Sequence, residues 1–272
     1  MDEQYHTDLN EWRHQADENL RAEKSWLALT GLYWLEQGEN VFGSHPENAV
    51  PFPGGAGEEN VGVFRLMDGT VSVEVNEDMQ VKVNGESVRA MEIKPDVSGE
   101  PDDIDCGRIA MRVVKRGDRF GIRMWDQENP KRLEFTGRRW FKARDEYLIE
   151  AKFHDYDPPR EMPIANILGD TEDAQMAGYV EFEIGGQKAR LEAMGTEPGN
   201  LFIIFKDATN GVQTYPAGRY MYSDPPKEGK VILDFNRAYN PPCVFTDYAT
   251  CPLPPPENHL PFAVTAGEIL PE

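Results

Sequence analysis

The residue types best suited to chemistry lie close together near the end of the chain, between Asn200 and Glu268. In this segment a strand-like alternation of residues 231–236 carries Asp234, and the loop Arg237-Ala-Tyr-Asn-Pro-Pro-Cys243 follows at once. The two successive prolines stiffen this loop, and the first of them excludes helical geometry at the residue before it. A stiff loop after a strand that carries a carboxylate is a suitable framework for a preorganised polar site.

The predicted catalytic residues are Asp234, Arg219 and Tyr239. Asp234 would act as a general base or as a charge partner, since a carboxylate can take a proton from a bound substrate. Arg219 would clamp an anionic group through its paired N–H donors. Tyr239, together with Asn236 and Asn240, would orient the ligand.

Three more residues complete the predicted ligand-binding set. Asp207 opens the turn-forming cluster Asp-Ala-Thr-Asn-Gly, directly after an apolar run over 201–205 that predicts a buried strand. Tyr215 belongs to a dense group of polar-tipped side chains that follows this turn. Cys243 ends the stiff loop, but as a nucleophile it would need a positioned base, and an inert buried thiol is the alternative.

No metal or cofactor is predicted. Structural zinc sites usually bring paired ligands about two to four residues apart, whereas Cys243, Cys251 and His259 are more widely and evenly spaced. The sequence has no nucleotide-binding glycine motif, no G-x-S-x-G elbow and no H-E-x-x-H. The odd total of 3 cysteines suits a reducing compartment, although the spacing leaves a bridge between Cys243 and Cys251 open.

The same polar residues also permit a structural interpretation. Asp, Asn and Tyr near a Pro-Pro loop often hydrogen-bond the loop's own backbone, and Arg219 and Asp234 could form an ordinary, partly buried ion pair. Three classes of function therefore stay open: an enzyme (a hydrolase or lyase) acting on a small polar metabolite, a small-molecule-binding module without turnover, and a scaffold that contacts a protein partner.

The surrounding pattern predicts a mainly β fold. A helical stripe begins near Thr7, the expected cap, and ends near Lys24. Beyond it, short alternating runs flank turn-forming pairs, which is typical of β-hairpins. The four predicted hairpins centre on Asp68-Gly69, Asn84-Gly85, Gly117-Asp118 and Gly185-Gly186.

This pattern predicts an N-terminal helix followed by antiparallel β-sandwich or barrel units. The polar, proline-containing segment 155–161 is the best candidate for a junction. The predicted domains are a helix over 1–25, a β-sandwich over 26–145 and a C-terminal β domain over 146–272, which carries the polar motif.

The charge balance excludes some partners. The 272 residues include 48 Asp and Glu against 28 Lys and Arg, for a formal net charge of −20. Nucleic acids and anionic lipid surfaces are bound largely through cationic side chains, so neither is expected as a partner. An acidic surface of this kind is favoured in a salt-rich cytoplasm, where salt screens the repulsion. We therefore expect a halophilic source.

Two features of the chain predict a cytoplasmic location. No run of residues approaches the roughly 18 apolar positions that a membrane-spanning helix needs. The start of the sequence, Met1-Asp-Glu-Gln-Tyr-His6, is acidic and polar, without the basic beginning and apolar core of a secretory signal.

Several segments resemble a known prokaryotic family. The string Asp234-Phe-Asn-Arg-Ala-Tyr-Asn-Pro-Pro-Cys243 is specific, and Phe205–Gly211 and Ala249–Pro255 match as well. They are similar to domain-of-unknown-function family 1684, which occurs in bacteria and archaea, and the resemblance extends over most of the chain from about Trp12. It implies a stand-alone intracellular protein, and it brings no established reaction, cofactor or catalytic residue.

A second, faint resemblance concerns residues 40–52 and the string Val83-Asn-Gly-Glu86. Their layout is similar to that of forkhead-associated domains, which are β-sandwiches that bind phosphothreonine. The phosphate-reading arginine expected after Gly43 is Ser44 in this chain. The resemblance therefore implies a sandwich for the N-terminal part, without phosphopeptide binding.

We expect the unfolding midpoint of the purified chain to rise between low salt and multimolar KCl, because salt screens the repulsion among the excess carboxylates. Thermal unfolding followed by circular dichroism across a KCl series measures this directly. Sucrose at matched osmolality is the control, since it is excluded from the surface without screening charge. A midpoint that stays constant across the series would contradict a halophilic origin.

Overall fold

A computed structural model describes residues 2–271, and the expected N-terminal helix is present in it as α1 (Glu3–Arg21). The predicted cap at Thr7 is wrong. The carboxylate of Asp2 accepts the backbone N–H of Tyr5 at 2.8 Å, which is an N-cap contact, so the helix begins earlier. It also ends at Arg21, three residues before the predicted end at Lys24.

The described residues form two compact units. We call Glu18–Phe135 the sandwich unit, and the residues up to Asp17 together with those from Thr136 onward the half-barrel unit. The predicted division into 1–25, 26–145 and 146–272 stays a prediction.

Besides the last residues of α1, the sandwich unit contains eleven strands, one short α-helix and a 3₁₀ turn (Asp96–Ser98). Their bounds are β1 (Leu29–Trp34), β2 (Gly38–Gly43), β3 (Val50–Pro51), β4 (Gly62–Met67), β5 (Thr70–Val75), β6 (Lys82–Val83), β7 (Glu86–Ser87), β8 (Ala90–Ile93), β9 (Ile104–Cys106), β10 (Ile109–Arg116), β11 (Arg119–Asp126) and α2 (Pro130–Leu133).

These strands form two sheets, in the orders β1-β11-β10-β9-β6-β7 and β3-β2-β4-β5-β8. All neighbouring strands are antiparallel except the pair β2 and β3. Buried residues of both sheets, among them Phe42, Phe64, Met111 and Ile122, share one apolar core. The mainly β, antiparallel fold predicted from the hairpin pattern is confirmed.

One predicted strand of this unit divides in two. The run expected over 86–93 becomes β7, which pairs with β6, and β8, which pairs with β5 in the other sheet. Val83 of β6 and Ile93 of β8 are both nearly fully buried in the core that the two sheets share. Hairpin turns at Asp68-Gly69 and Gly117-Asp118 lie where the sequence predicts them.

The half-barrel unit is built on one sheet of six strands, in the order β16-β15-β14-β13-β12-β17. Each strand pairs antiparallel with its neighbour. The bounds are β12 (Leu148–Ala165), β13 (Thr171–Ile184), β14 (Gln187–Thr196), β15 (Asn200–Phe205), β16 (Arg219–Ser223) and β17 (Lys230–Asp234). Strands β16 and β17 are thus the two edges of this sheet.

The strand expected over 231–236 ends two residues early. The carboxylate of Asp234 accepts the backbone N–H of Asn236 at 3.1 Å, and this contact starts a short 3₁₀ turn, Phe235–Arg237. Phe235 points into the core of the half-barrel unit, where it packs edge-to-face on Phe205. The local side-chain cap therefore overrides the strand pattern at this point.

No helix within residues 2–271 combines the length and the apolar character needed to cross a membrane.

Candidate functional site

An open cleft of about 320 Å³ lies in the half-barrel unit, beside the edge strands β16 and β17. Both strands contribute exposed apolar side chains to it, Tyr222 from β16 and Ile232 from β17. The lining residues are Tyr5, Trp12, Leu148, Asn200, Tyr222, Ser223, Asp224, Ile232, Asp234, Arg237 and Tyr239. The cleft therefore contains aromatic rings, carboxylates and one guanidinium.

One wall of the cleft belongs to a closed set of four aromatic rings. Tyr222 stacks on Phe202 at 4.7 Å and on Tyr239 at 6.4 Å between ring centroids. Tyr220 completes the set with edge-to-face contacts to Phe202 at 5.1 Å and to Tyr239 at 5.8 Å. Each such pair stabilises the arrangement by about 0.5–1.5 kcal/mol beyond the burial of apolar area.

Strand periodicity explains why these rings meet. Tyr220 and Tyr222 are two positions apart on β16 and so share one face, and Phe202 is the direct cross-strand partner of Tyr222. Tyr239 joins them through the backbone, because its N–H and C=O pair with those of Tyr220 at 2.9 and 2.8 Å. The loop after β17 is thereby attached to the edge of β16.

Asp234 lies at the inner end of the cleft, at the end of β17. Both of its oxygens accept the hydroxyl of Tyr5 at 2.9 Å, and one also accepts the N–H of Asn236. The guanidinium of Arg237 lies 3.3 Å away and also packs over the ring of Trp12 at 5.7 Å. Burial raises the pKa of the Asp234 carboxyl, while Tyr5 and Arg237 act in the opposite direction.

Asn236 is fully buried behind this carboxylate. Its amide nitrogen donates to the Tyr5 hydroxyl at 3.1 Å and to the backbone C=O of Arg144 at 3.2 Å. Its amide oxygen accepts the N–H of Arg144 at 3.1 Å. The side chain therefore holds neighbouring segments in place and does not line the cleft.

Arg219 lies away from the cleft, because its side chain points into the core of the half-barrel unit and is completely buried. Its Nη2 donates to Asp207 at 2.6 Å and to the C=O of Val264 at 2.9 Å, and its Nη1 donates to the C=O of Ala266. The alternative prediction, an ordinary ion pair between Arg219 and Asp234, is therefore wrong in its partner. Arg219 pairs with Asp207 instead.

Asp207 and Arg219 together hold the backbone near the end of the chain. One oxygen of Asp207 accepts the N–H of Val264 at 3.1 Å and both the N–H and the hydroxyl of Thr209, at 2.8 and 2.6 Å. Burial lowers the pKa of the Arg219 guanidinium, and the Asp207 carboxylate opposes this effect. We call residues 262–270 the C-terminal strap, since a series of such contacts holds it.

Asn240 also contacts this strap. Its backbone N–H donates to Glu268 at 2.9 Å, and its side chain donates to the C=O of Ile269 at 3.0 Å. Glu268 is nearly fully buried, with its carboxylate 3.5 Å from Arg138. Burial raises the pKa of Glu268 to about 7, against the attraction of Arg138.

Tyr215 and Cys243 meet outside the cleft. The Tyr215 hydroxyl donates to the C=O of Cys243 at 3.2 Å, and the N–H of Cys243 donates to the sulfur of Cys251 at 3.2 Å. Burial raises the pKa of the Tyr215 hydroxyl. His259, the third member of the widely spaced set, is exposed and forms a backbone bridge with Lys206.

Two of the predicted catalytic residues, Asp234 and Tyr239, therefore line one cleft. The other predicted residues lie elsewhere in the unit: Arg219, Asn236, Asn240, Asp207, Tyr215 and Cys243. The sequence offered no signal for Tyr5 and Trp12, because α1 is more than 200 residues from β17 along the chain. Tyr222 belongs to the dense group of polar-tipped side chains that also includes Tyr215. Its position two residues after Tyr220, on the same face of a strand, is the signal that could have selected it.

These features define a β-sandwich unit and a half-barrel unit that presents a ligand-sized, aromatic cleft. The model of the family "Protein of unknown function (DUF1684)" matches residues 133–269, and the chain belongs to this family. The predicted resemblance is therefore confirmed. The match begins just before the half-barrel residues from Thr136 onward and covers most of the residues that line the cleft.

Solved structures supply further relatives. The uncharacterized protein from gene locus rrnAC0354 of Haloarcula marismortui, known from a solution NMR structure, is 34% identical over 51% of this chain and 79% of that chain, with a TM-score of 0.44. The forkhead-associated domain of FhaA, solved with the intracellular domain of Rv3910, is 14% identical over 34% of this chain and 96% of that one, with a TM-score of 0.25.

The N-terminal forkhead-associated domain of EssC, a component of the bacterial type VII secretion apparatus, is 15% identical over 36% of this chain and 46% of that one, with a TM-score of 0.28. The forkhead-associated likeness is thus present and faint, as the sequence indicates. No curated protein matches the chain.

We expect Glu268→Gln to change how stability depends on pH. The pKa of this carboxyl is about 7 in the folded chain and about 4.3 when unfolded. Its folded pKa is the higher one, so its stabilisation is complete at low pH and is lost as the pH rises through 7. From pH 5 to pH 8 the wild type should therefore lose up to about 3 kcal/mol relative to the variant.

Urea unfolding of both proteins at several pH values, in constant salt, measures this difference. Glu257→Gln, at an exposed position of the same charge type, is the matched control and should leave the pH dependence unchanged. Parallel curves for wild type and Glu268→Gln would show that the buried carboxyl does not titrate in this range.

Proposed function

We propose that the half-barrel unit binds a small organic cation in the cleft beside β16 and β17, without chemical turnover. The observation that supports this proposal most directly is the Tyr222 ring, which is 51% exposed although it is held between Phe202 and Tyr239. An immobilised aromatic ring that remains half exposed at a cleft can recognise an ammonium ion through cation–π attraction.

The charges of the cleft support the same ligand class. Asp234 is balanced by Arg237 at 3.3 Å, whereas the exposed carboxylate of Asp224 lies on the same cleft without a described ion pair. The formal charge of the whole chain, −20, adds a negative potential that attracts cations. A ligand with an ammonium group and a small apolar body would place its charge between Tyr222 and Asp224.

The hydrogen bonds of Asp234 favour binding over catalysis. A general base needs a lone pair directed at the substrate proton. Both oxygens of Asp234 already accept the Tyr5 hydroxyl, one accepts Asn236 and the other pairs with Arg237. This carboxylate is therefore assigned to shaping the cleft floor.

A catalytic function is the second candidate, and two observations favour it. Burial raises the pKa of Asp234, as is common for carboxyls that transfer protons. Tyr239, which is partly buried, lines the same cleft. In that case Asp234→Asn would abolish turnover of the bound ligand and leave its affinity nearly unchanged, which separates the enzyme, a hydrolase or lyase, from the binding module.

The amino-acid composition also indicates which partners and which cellular location suit the protein. The carboxylate excess makes nucleic acid and anionic membrane surfaces poor partners, and it suits a salt-rich cytoplasm. We infer such a cytoplasm as the location of the protein. A small cationic metabolite would be available there, and its binding would have to persist in high salt.

We expect choline-like ammonium compounds to raise the melting temperature of the purified chain in molar KCl, and their neutral isosteres to have no effect. The matched probes are choline and 3,3-dimethylbutan-1-ol, which share a shape and differ in charge. A ligand at about 100 times its dissociation constant stabilises by roughly 2.7 kcal/mol, which is easily detected. Primary amines and polyamines form the second arm of the panel.

Two variants locate the binding site. Tyr222→Leu should weaken binding by about 3- to 30-fold, which corresponds to a cation–π contribution of roughly 0.5–2 kcal/mol. Tyr248→Leu is the matched control, because this ring is also partly exposed but does not line the cleft. Equal shifts from choline and its neutral isostere, or equal affinities in both variants, would contradict the proposal.

A further inference from the structure

Two thiols of the half-barrel unit lie next to each other, although the sequence separates them by a loop. The backbone N–H of Cys243 donates to the sulfur of Cys251 at 3.2 Å. Because an N–Cα bond is about 1.5 Å long, the Cα of Cys243 lies within about 4.7 Å of that sulfur. This short separation leaves the Cys251 sulfur within reach of the Cys243 side chain, as closure to a disulfide requires.

The two thiols differ in exposure. Cys251 is buried, with 4% of its surface exposed, whereas Cys243 is only half-buried. Cys243 stands in a short 3₁₀ turn, Pro242–Val244, whose first residues are fixed by the Pro-Pro sequence. A soluble reagent therefore reaches Cys243 first, and Cys251 is held behind it.

The groups around the two thiols also distinguish Cys243, the more reactive one, from Cys251, the protected one. A hydrogen bond from the Cys251 thiol lowers the pKa of Cys243, and the same hydrogen bond, together with burial, raises the pKa of Cys251. The hydroxyl of Tyr215 lies against Cys243, and that of Tyr220 donates to the C=O of Pro252, beside Cys251. The proton that the pair retains is therefore held on the buried sulfur.

We propose that Cys243 and Cys251 form a hydroperoxide-reactive dithiol that closes reversibly to an intramolecular disulfide. The Cys243 thiolate, its proton released to solvent, attacks the outer oxygen of the hydroperoxide, and the O–O bond breaks, which gives a sulfenic acid on Cys243. The alkoxide or hydroxide that leaves takes up a proton from solvent and becomes an alcohol or water. The Cys251 sulfur then attacks the Cys243 sulfur, the S–O bond breaks, and the thiol proton leaves with the hydroxide as water. The hydroperoxide is reduced by two electrons, and the two thiols are oxidised to a disulfide.

This activity is independent of the cation-binding proposal, although the two sites share a neighbour. The ring of Tyr220, beside Cys251, packs edge-to-face on Tyr239 of the cleft at 5.8 Å. The disulfide would close the loop between residues 243 and 251, which the N–H of Cys243 already attaches to the sulfur of Cys251. The cleft is therefore expected to keep its ligand affinity in both redox states.

The third cysteine provides an internal control. Cys106 lies in the sandwich unit, half-buried, and burial alone raises the pKa of its thiol. It has a comparable exposure to Cys243 without a thiol neighbour among the described residues. Reactivity at Cys243 that exceeds reactivity at Cys106 therefore reports the effect of the pair and not of exposure.

The decisive experiment treats the reduced, full-length chain with substoichiometric hydrogen peroxide, blocks remaining thiols with iodoacetamide, and maps the peptides by mass spectrometry without reduction. We expect the Cys243–Cys251 linked peptide as the main product and Cys106 alkylated. In untreated protein, Cys243 should alkylate at least about fivefold faster than Cys106 at pH 7, since a larger thiolate fraction outweighs its lower intrinsic nucleophilicity.

Two variants test the order of the steps. Cys251→Ser should retain the first step, so that dimedone traps a sulfenic acid on Cys243, and Cys243→Ser should abolish trapping at this site. The wild-type peptide map does not depend on the folding of either variant. Oxidation of Cys106 first, intermolecular disulfides as the main product, or equal alkylation of Cys106 and Cys243 would each overturn the proposal.

Discussion

A completely buried ion pair between Arg219 and Asp207 is the interaction on which the half-barrel unit depends. Arg219 donates to the C=O groups of Val264 and Ala266, and Asp207 accepts the N–H of Val264. The pair, joined at 2.6 Å, therefore also holds the C-terminal strap in place. A guanidinium without a partner in such a site would be very costly, since its charge is removed from water. The burial of this arginine is therefore stable only when the turn at Asp207 and the strap are both in place.

The cleft follows from this arrangement. The strap holds the loop after β17 through Asn240 and Glu268, and the same loop carries Tyr239 onto the ring of Tyr220. The two sheet edges, β16 and β17, thus receive a fixed aromatic wall without pairing with each other. A polar motif that suggests catalysis in the sequence is used mainly to build this framework, and a smaller number of its side chains remain available to a ligand.

Local signals made the fold predictable, and long-range pairing limited prediction of the site. Asp-Gly and Gly-Asp turns give the hairpins, and the apolar run over 201–205 gives a buried strand, because both depend on neighbouring residues. The contact of Tyr5 with Asp234 joins residues 229 positions apart. The sequence likewise suggests Asp234 as the partner of Arg219, and only the packing of the core selects Asp207.

The free energy of unfolding of Arg219→Ala, measured by urea denaturation in high salt, tests this account most directly. The account predicts a loss of about 3–5 kcal/mol, because the Asp207 carboxylate and two backbone carbonyls of the strap are left buried without their partner. Lys230→Ala, at the exposed ion pair with Glu150, is the control and should cost no more than about 1 kcal/mol. An Arg219→Ala protein as stable as the control would contradict the structural role assigned to the buried pair.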